Sequence, residues 1–236
     1  MNSLDNLTET DWKEGQLILV DKPFHWTSFQ AVNKIRWLLK KKFGLKKLKV
    51  GHAGTLDPLA TGLLLICVGK WTKRISEFQG MEKEYTGTIQ LGATTPSYDL
   101  ETEIDANYPV KHVTAEAIES VRDSFMGEQE QYPPVFSAIK KEGVRLYEHA
   151  RKGDTIDVNP RKIHIHTFSV SAENFPELLF CVKCSKGTYI RSLAYDFGKK
   201  LNSGAYLSSL RRTEIGSYTV TEAYTMEDLI KLLGRG

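Results

Sequence analysis

The chain has 236 residues, of which 41% are hydrophobic and 26% are charged. This composition is ordinary for a globular protein with a substantial core, organised as one large domain or two small ones. The formal net charge of +3 does not by itself indicate a nucleic-acid-binding protein. The apolar run from Leu63 to Val68 is far too short to span a bilayer, and residues 1–13 are polar, unlike a secretory signal.

Positive charge is concentrated in one part of the chain. Eight basic residues and no acidic residue lie between positions 34 and 49: Lys34, Arg36, Lys40, Lys41, Lys42, Lys46, Lys47 and Lys49. Such a block can form a surface that faces phosphates although the net charge is small. It can also be a solvated helix face with the loop after it, and the pattern alone favours this second interpretation.

The three cysteines do not provide a disulfide framework. Cys181 and Cys184 form a C-x-x-C pair inside a strand-like run, where residues three apart point to opposite faces. We therefore expect reduced thiols and no metal site, which fits a cytoplasmic protein.

The first predicted elements are a strand at residues 16–20 and a helix that begins at Thr27 or Ser28 and ends at Gly44. Gln30 is placed to complete a capping box at the start of this helix. Its apolar stripe consists of Val32, Ile35, Leu38 and Leu39.

Strands and helices continue to interleave without strict alternation. Further strands are predicted at residues 85–91, 161–168 and 178–185, and further helices are predicted to be capped by Thr114, Thr188 and Thr225. This order predicts an α+β fold with a mixed sheet and not a doubly wound one. Residues 127–160 have little apolar content of their own and form a long excursion, which is usually functional or mobile.

Residues 51–62 (GHAGTLDPLATG) hold a single carboxylate, Asp57. The dipeptide Asp57-Pro58 suits the start of a helix, because Asp accepts from unpaired N–H groups and Pro fits the first helical position. The glycines of the string allow unusual backbone conformations and close approach of a bulky ligand. Asp57 is therefore either a structural cap, which the dipeptide alone favours, or a presented nucleophile.

The whole string resembles the signature loop of the TruB family of tRNA pseudouridine synthases. The resemblance continues, in that family's order, through Leu17–Pro23 as its first strand, Lys83–Tyr85 as the segment with its active-site tyrosine, Tyr132–Lys140 as its RNA-contacting insertion and Cys184–Arg191 as its late catalytic motif. It implies a pseudouridine-synthase-like fold, with a mixed, largely antiparallel central sheet flanked by helices and loops. It also implies one catalytic domain over residues 1–236, with an RNA-contacting insertion at 127–160.

The resemblance implies an isomerase that converts a uridine in the T-loop of tRNA, at position 55, to pseudouridine without any cofactor. Asp57 matches the catalytic carboxylate, which either attacks ribose C1′ or abstracts the C2′ proton. Arg191 matches the cation that keeps this carboxylate ionised. Tyr85 matches the tyrosine that stacks on the target base and can help to remove the C5 proton. Without the family, Arg191 is a surface arginine at a helix start and Tyr85 an ordinary strand tyrosine.

Further residues are implied to bind the substrate. His52 matches a residue that holds the RNA with the base everted, and Tyr189 matches a second pocket residue. Asp99 falls where the family has an acidic residue that contacts RNA or orders Arg191. Three lysines are candidates for phosphate or loop contacts, although each alone would more often be a plain surface residue: Lys22, Lys73 and Lys140.

The sequence departs from the family in places. Ala53 stands where threonine is common, which removes a local hydrogen bond but not the chemistry. The small C-terminal RNA-binding domain of the family is expected to be absent or vestigial. The expected partner is the T-arm stem-loop of tRNA, bound by a cytoplasmic monomer without membrane contact or obligate protein partner. The alternatives are an RNA-binding or RNA-folding module on the same scaffold and a guide-RNA-dependent relative.

Overall fold

The computed structural model describes residues 4–136, 140–141, 144–145 and 159–234. The chain forms two compact units, the first comprising Met1–Glu84 and Arg211–Gly236 and the second comprising Tyr85–Leu210. In the described part of the chain, every helix is too short or too polar to cross a membrane.

The helices, in chain order, are α1 (Glu9–Glu14), α2 (Ser28–Lys42), α3 (Ile75–Gly80), α4 (Ala115–Asp123), α5 (Ile190–Lys200) and α6 (Met226–Gly234). Short 3-10 helices lie at Leu4–Asn6, Gly69–Arg74 and Val220–Glu222. The strands are β1 (Gln16–Lys22), β2 (Val50–His52), β3 (Ala60–Val68), β4 (Lys83–Leu91), β5 (Ala93–Thr94), β6 (Ala106–Asn107), β7 (Gly127–Gln131), β8 (Lys140–Lys141), β9 (Val144–Arg145), β10 (Arg161–Asn174), β11 (Glu177–Cys184), β12 (Ala205–Ile215), β13 (Tyr218–Thr219) and β14 (Tyr224–Thr225).

The sheet of the first unit has the order β14, β1, β3, β12, with β2 also paired to β3 and β13 to β12. β1 runs antiparallel to β3 and parallel to β14. β3 is buried on both faces, because α2 and α6 pack against one face and Phe78 of α3 against the other. This explains why its sequence is an uninterrupted apolar run, as buried central strands commonly are.

Helix α2 forms as its sequence predicts. Thr27 and Gln30 make the reciprocal bonds of a capping box. The predicted stripe of Val32, Ile35, Leu38 and Leu39 is buried. At the C-terminus the N–H of Leu45 donates to the carbonyl of Lys40 (3.0 Å), and Gly44 has φ +62°. This is the left-handed helix end that glycine favours.

The sheet of the second unit has the order β12, β4, β11, β10, β7. β10 pairs antiparallel with β11 and with β7, and it extends to Asn174, beyond the predicted residue 168. Phe125, Phe168 and Phe197 pack their rings together where α5 covers this sheet. A mixed, mostly antiparallel sheet with helices confirms the predicted α+β fold.

The structure departs from the sequence prediction at the start of α5. Thr188 was expected to cap α5, but Tyr189 occupies the N-cap position, and the Thr188 hydroxyl instead donates to the carbonyl of Ser185 (2.9 Å). The predicted excursion over residues 127–160 begins with β7 and includes the β8–β9 pair, and the rest of it from residue 137 to 158 lies outside the described residues. The predicted single catalytic domain stays a prediction, since β4 and β12 each contribute residues to both units.

Candidate active site

Asp57 lies in the loop between β2 and β3 and does not cap a helix. Its carbonyl accepts a hydrogen bond from the N–H of Ala60 (3.1 Å), so residues 57–60 form a tight turn that leads directly into β3. Its side chain is half-buried. The capping interpretation of Asp57-Pro58 is therefore wrong, because the element that follows is a strand.

The main chain of this loop is held by Arg212 of β12. The Arg212 side chain is 1% exposed. Its guanidinium donates to the carbonyl oxygens of Leu63 (2.7 Å), Gly54 (3.2 Å) and Thr55 (3.4 Å). A planar, permanently charged group with several fixed donors suits such a multiple contact. Arg212 therefore clamps both the start of the loop and the strand that follows it.

The sequence alone did not single out Arg212. A usable signal was the pair Arg211-Arg212 within a strand, because adjacent residues on a strand point to opposite faces. One of the two must then face inward. The structure shows that Arg211 is the outer one, with its guanidinium on both carboxylate oxygens of Asp21 (3.0 and 2.6 Å).

Lys22, at the end of β1, is a second buried cation that contacts this loop. It is a candidate for a phosphate or loop contact by sequence, and the structure shows it 0% exposed and in contact with the loop. Its ammonium donates to the carbonyls of Trp26 (2.6 Å), Pro23 (2.9 Å) and, at 3.5 Å, Pro58. The structure thus gives Lys22 a positioning role beside Asp57, because a buried ammonium with three carbonyl acceptors is not presented to a ligand.

The charge of Lys22 is balanced between burial and its neighbours. Burial lowers the pKa of Lys22 to about 8, and the cationic Arg212 acts in the same direction. The carboxylates of Asp57 and Asp21 oppose this and favour the protonated form. At neutral pH, Lys22 is therefore a cation that attracts the Asp57 carboxylate.

Two close backbone approaches complete the support of the loop. The Ser28 hydroxyl accepts from the N–H of Leu56 (2.8 Å) and lies 3.1 Å from the Leu56 carbonyl. At Gly62, which has φ +104°, a Cβ atom would lie 2.2 Å from the carbonyl oxygen of Arg212. Only glycine allows β3 and β12 to approach this closely.

His52 is the last residue of β2 and is half-buried. Burial lowers its pKa, the nearby Arg212 lowers it further, and a backbone contact with Gly54 opposes the shift. His52 is therefore neutral at physiological pH. Its Nδ1 atom is buried and has no hydrogen-bond partner within the described ranges. A neutral imidazole at this position can stack or donate but does not attract a phosphate by charge.

In the second unit, Arg191 lies in the first turn of α5 and is 5% exposed. Its Nε lies 3.5 Å from the Oδ2 of Asp99, and its Nη1 donates to the carbonyl of Ser97 (3.2 Å). A cation in the first turn of a helix is unfavourable for the helix dipole, so a buried carboxylate partner is expected there. The geometry supports the second of the two roles expected for Asp99, the ordering of Arg191.

The loop that carries Asp99 is itself ordered. The Asp99 carbonyl accepts from the hydroxyls of Thr95 (2.7 Å) and Ser97 (3.2 Å), and its carboxylate accepts from the N–H of Glu101 (3.0 Å). Asp99 also forms a bridge with Leu207 of β12. The carboxylate that orients Arg191 is thus fixed from several sides.

Tyr189 is positioned through its backbone by Gln131 of β7. The Gln131 side chain, which is 3% exposed, donates to the Tyr189 carbonyl (2.9 Å) and accepts from the Tyr189 N–H (2.8 Å). The guanidinium of Arg161 lies over the Tyr189 ring, 5.2 Å from its centroid. Sequence reasoning missed Gln131, because a strand glutamine carries no local signal for this bond.

Tyr85 lies on β4 and is 9% exposed. The predicted face of Tyr85, Gly87, Ile89 and Leu91 is only partly uniform, because Gly87 is less buried than the other three. A Cβ on Gly87 would lie 2.2 Å from the carbonyl of Ser209, so β12 passes close to this part of β4.

The two remaining lysine candidates lie in different parts of the chain. Lys73 is exposed on the 3-10 helix that follows β3. The backbone of Lys140 belongs to β8, but its side chain lies outside the described part of the chain. Within the first unit the structure groups His52 and Lys22 about the Asp57 loop, and within the second it joins Asp99 to Arg191.

Comparison with known proteins identifies the family. Residues 40–190 match the N-terminal domain model of the TruB family pseudouridylate synthases, and residues 191–235 match a tRNA pseudouridylate synthase B C-terminal domain model. The chain is 62% identical to the tRNA pseudouridine synthase B of Flavobacterium johnsoniae, over 92% of this chain and 95% of that protein. It is 53% identical to the enzyme of the same name from Phocaeicola vulgatus, over 92% of each.

A solved structure is also similar. The chain superposes with a TM-score of 0.68 and 27% identity on a chain from an H/ACA RNP bound to a substrate RNA containing 2′-deoxyuridine. The match covers 94% of this chain but only 54% of that longer one. The two domain models together cover residues 40–235, and the relatives are similar along almost their full lengths. The chain therefore belongs to the TruB family of pseudouridylate synthases.

Proposed function

We propose that this protein is a tRNA pseudouridine synthase that isomerises the uridine at position 55, in the T-loop of tRNA, with Asp57 as the catalytic carboxylate. The observation that carries the proposal is the way in which Asp57 is held. Its turn is fixed by Lys22 and Arg212, whose donors bind main-chain oxygens around it. The loop is thus held through its main chain, and the Asp57 carboxylate is not needed to cap a helix.

The isomerisation breaks the glycosidic N–C bond, turns the base and forms a C–C bond, so its overall balance requires no added atom or electron. Asp57 supports it as a carboxylate, either by attack on C1′ or by abstraction of the C2′ proton, because only the ionised form is a nucleophile or a base. The Lys22 ammonium, which interacts electrostatically with Asp57, places a positive charge beside this carboxylate.

Two further roles are carried over from the family. We propose that Arg191 acts on the reacting carboxylate as a cation and that Asp99 fixes its orientation. Tyr85 is proposed to stack on the target base and to help in removing the C5 proton. Everting a base costs a few kcal/mol, and aromatic stacking returns about 1–3 kcal/mol per base. One aromatic ring can therefore offset much of this cost, and Tyr189 and His52 are proposed to contribute further contacts.

We further propose that the protein acts as a cytoplasmic monomer on the T-arm stem-loop, without membrane or obligate protein partner. No cofactor enters any step of the proposed reaction. Residues 127–160 are proposed to contact the RNA, and Lys140 is the residue of that segment for which the family suggests a direct contact.

Incubation with an unmodified tRNA transcript, followed by chemical mapping of pseudouridine, tests the proposal. The native chain is expected to modify position 55, and Asp57→Asn is expected to give no product while RNA binding is largely kept. Asp123→Asn is a matched control, since it removes an exposed carboxylate of α4. RNA binding by the native chain without any product would instead indicate an RNA-folding module.

A further inference from the structure

A wide cleft in the first unit is lined mainly by basic side chains. Its volume is about 880 Å³, and eight of its fourteen lining residues are lysine or arginine, with no acidic residue among the described ones. The cationic lining includes Lys40, Lys46, Lys47, Lys49, Lys70 and Lys73. These residues come from α2, the loop after it and the 3-10 helix after β3, so three separate segments of the chain contribute positive charge to one cleft.

The cleft divides the basic block of residues 34–49 into two groups. Lys34 and Lys41 lie outside it, with their ammonium groups 5.0 and 5.4 Å from the centroid of the Trp37 ring. Lys42 donates to the carbonyl of Leu232 (3.1 Å). The lysines that follow α2 line the cleft instead. The solvated-face interpretation therefore suits Lys34 and Lys41, and the phosphate-facing interpretation stays a prediction for the lysines that line the cleft.

The described residues leave most of the positive charge in the cleft without an ion-pair partner. Lys70 pairs with Glu14 (2.7 Å), and Lys13 with Glu9. In contrast, the described residues offer no ion pair to Lys46, Lys47 or Lys49. Clustered like charges repel one another, so an arrangement of this kind is stabilised by a bound polyanion.

The loop at residues 44–49 presents its lysines in a defined way. Leu45 is buried and Leu48 packs against the core beneath α2. Lys46, Lys47 and Lys49 are exposed between and after these two anchors. The N–H of Gly69 donates to the Lys49 carbonyl (2.8 Å), which ties the end of the loop to the other wall of the cleft.

The form of the cleft favours an extended polyanion over a single small anion. Compact phosphate sites use the N–H groups at a helix N-terminus, whereas the helix that borders this cleft contributes Lys40 from its C-terminal turn. Lysine ammonium groups are strongly hydrated point charges on flexible stems. They follow a phosphate backbone without fixing one phosphate geometry, and this backbone term dominates nucleic-acid affinity.

The cleft lies close to the Asp57 loop along the chain. Gly51 lines the cleft and is followed at once by His52 and the loop. Gly51 and Asp57 are six positions apart in the chain, so their Cα atoms lie within about 20 Å of each other. That distance corresponds to about six base pairs at roughly 3.4 Å of helix axis each. An RNA strand in the cleft is therefore only a few nucleotides from the nucleotide at Asp57.

We propose that this cleft binds the phosphodiester backbone of the RNA stem adjoining the target loop, a proposal that rests on the tRNA substrate proposed above. Contact is made through Lys46, Lys47 and Lys49 with support from Lys40 and Lys73. The cleft supplies affinity and register for the stem, and the reaction itself takes place at the Asp57 loop.

Binding of an isolated T-arm stem-loop RNA, measured from 50 to 200 mM salt, tests the proposal. The cleft variant carries Lys46→Gln, Lys47→Gln and Lys49→Gln. The control variant carries Lys34→Gln, Lys41→Gln and Lys231→Gln, which remove the same charge outside the cleft. Each lost phosphate contact lowers the slope of log affinity against log salt by about 0.9. Loss of three contacts is thus expected to lower this slope by about 2.7. Between 50 and 200 mM salt, the affinity of the native chain should then fall about 40-fold more than the affinity of the cleft variant.

The control variant is expected to keep the native slope to within one unit, and the cleft variant is expected to raise KM for the stem-loop more than it lowers kcat. Equal slopes for the two variants would overturn the proposal, as would a loss seen only with complete tRNA. Pseudouridine formation by the native chain is measured in parallel. If the native chain forms pseudouridine but the two variants have equal slopes, only the proposal about the cleft is refuted. If the slope depends on the cleft lysines but no pseudouridine forms, the proposed function is refuted and RNA binding by the cleft still holds.

Discussion

The support of the Asp57 loop by Arg212 leads to a sharp prediction about Arg212→Lys. This substitution keeps the positive charge but replaces a planar group with several donors by a single ammonium. The native guanidinium bonds three carbonyl oxygens, at 2.7, 3.2 and 3.4 Å. The single ammonium of a lysine cannot reach all three carbonyl oxygens in the same geometry.

The magnitude follows from these contacts. Hydrogen bonds to charged groups contribute about 1.5–3 kcal/mol each, and the two longer ones are the weaker members of the set. Loss of two of them, with the remaining charge still buried, is expected to lower the free energy of unfolding by about 3–5 kcal/mol. For a chain of this size that corresponds to a fall of about 6–20 °C in Tm. Because Gly54 and Thr55 precede Asp57 by only three and two residues, a 1 Å displacement of the carboxylate is expected to slow the reaction about 100-fold.

Single-turnover pseudouridine formation and urea unfolding are to be measured on the same preparations. Arg211→Lys is the matched control, because Arg211 is 39% exposed and pairs with Asp21. A pair of this kind contributes about 0–1 kcal/mol. If Arg212→Lys is destabilised but reacts within about three-fold of the native rate, Arg212 stabilises the fold without positioning Asp57. An equal loss in Arg211→Lys would refute the carbonyl clamp as the cause.

Three further outcomes are expected. Asp99→Asn removes the carboxylate beside the buried Arg191, so the free energy of unfolding should fall by about 3 kcal/mol. The single-turnover rate should fall as well. An unchanged rate would show that Asp99 has no part in the reaction. Gln131→Ala removes two bonds to the backbone of Tyr189, so we expect a loss of about 1–3 kcal/mol in urea unfolding and a KM for tRNA that rises more than kcat falls; an unaltered KM would contradict the positioning of Tyr189. Lys22 has a folded-state pKa of about 8, below its unfolded value of 10.5, so the unfolded chain binds more protons between these pH values. The free energy of unfolding should therefore rise with pH between about 8 and 10.5. The reaction should slow over the same range, because the cation beside Asp57 is lost. Lys22→Met should show neither trend.

Local sequence signals predicted the elements whose determinants are local. The capping box of α2 and its apolar stripe are such signals, because cap bonds and helix faces depend on residues three or four apart. Thr114 and Thr225 cap α4 and α6 as predicted, each accepting an N–H three residues further on. The burial of residues 63–68 also follows directly from their uninterrupted apolar character.

The same kind of signal failed where tertiary contacts decide. Asp57-Pro58 fits a helix start and a turn equally well, and it is the pairing of β3 with β1 that selects the turn. Thr188 had the chemistry of a cap, but its hydroxyl bonds Ser185 instead. Arg212 binds a carbonyl oxygen 158 residues away in the chain, and Lys22 binds one that is 36 residues away. A residue type does not reveal such partners.

Arg212 holds the Asp57 loop by carbonyl oxygens, which every residue possesses. The Thr55 side chain is therefore largely irrelevant to this contact, whereas Gly54 has φ +110°, which other residues rarely adopt. Redesign can therefore change the exposed Thr55 side chain, provided that the backbone path persists. The arginine that grips it lies far away in sequence and is the residue that such redesign must leave untouched.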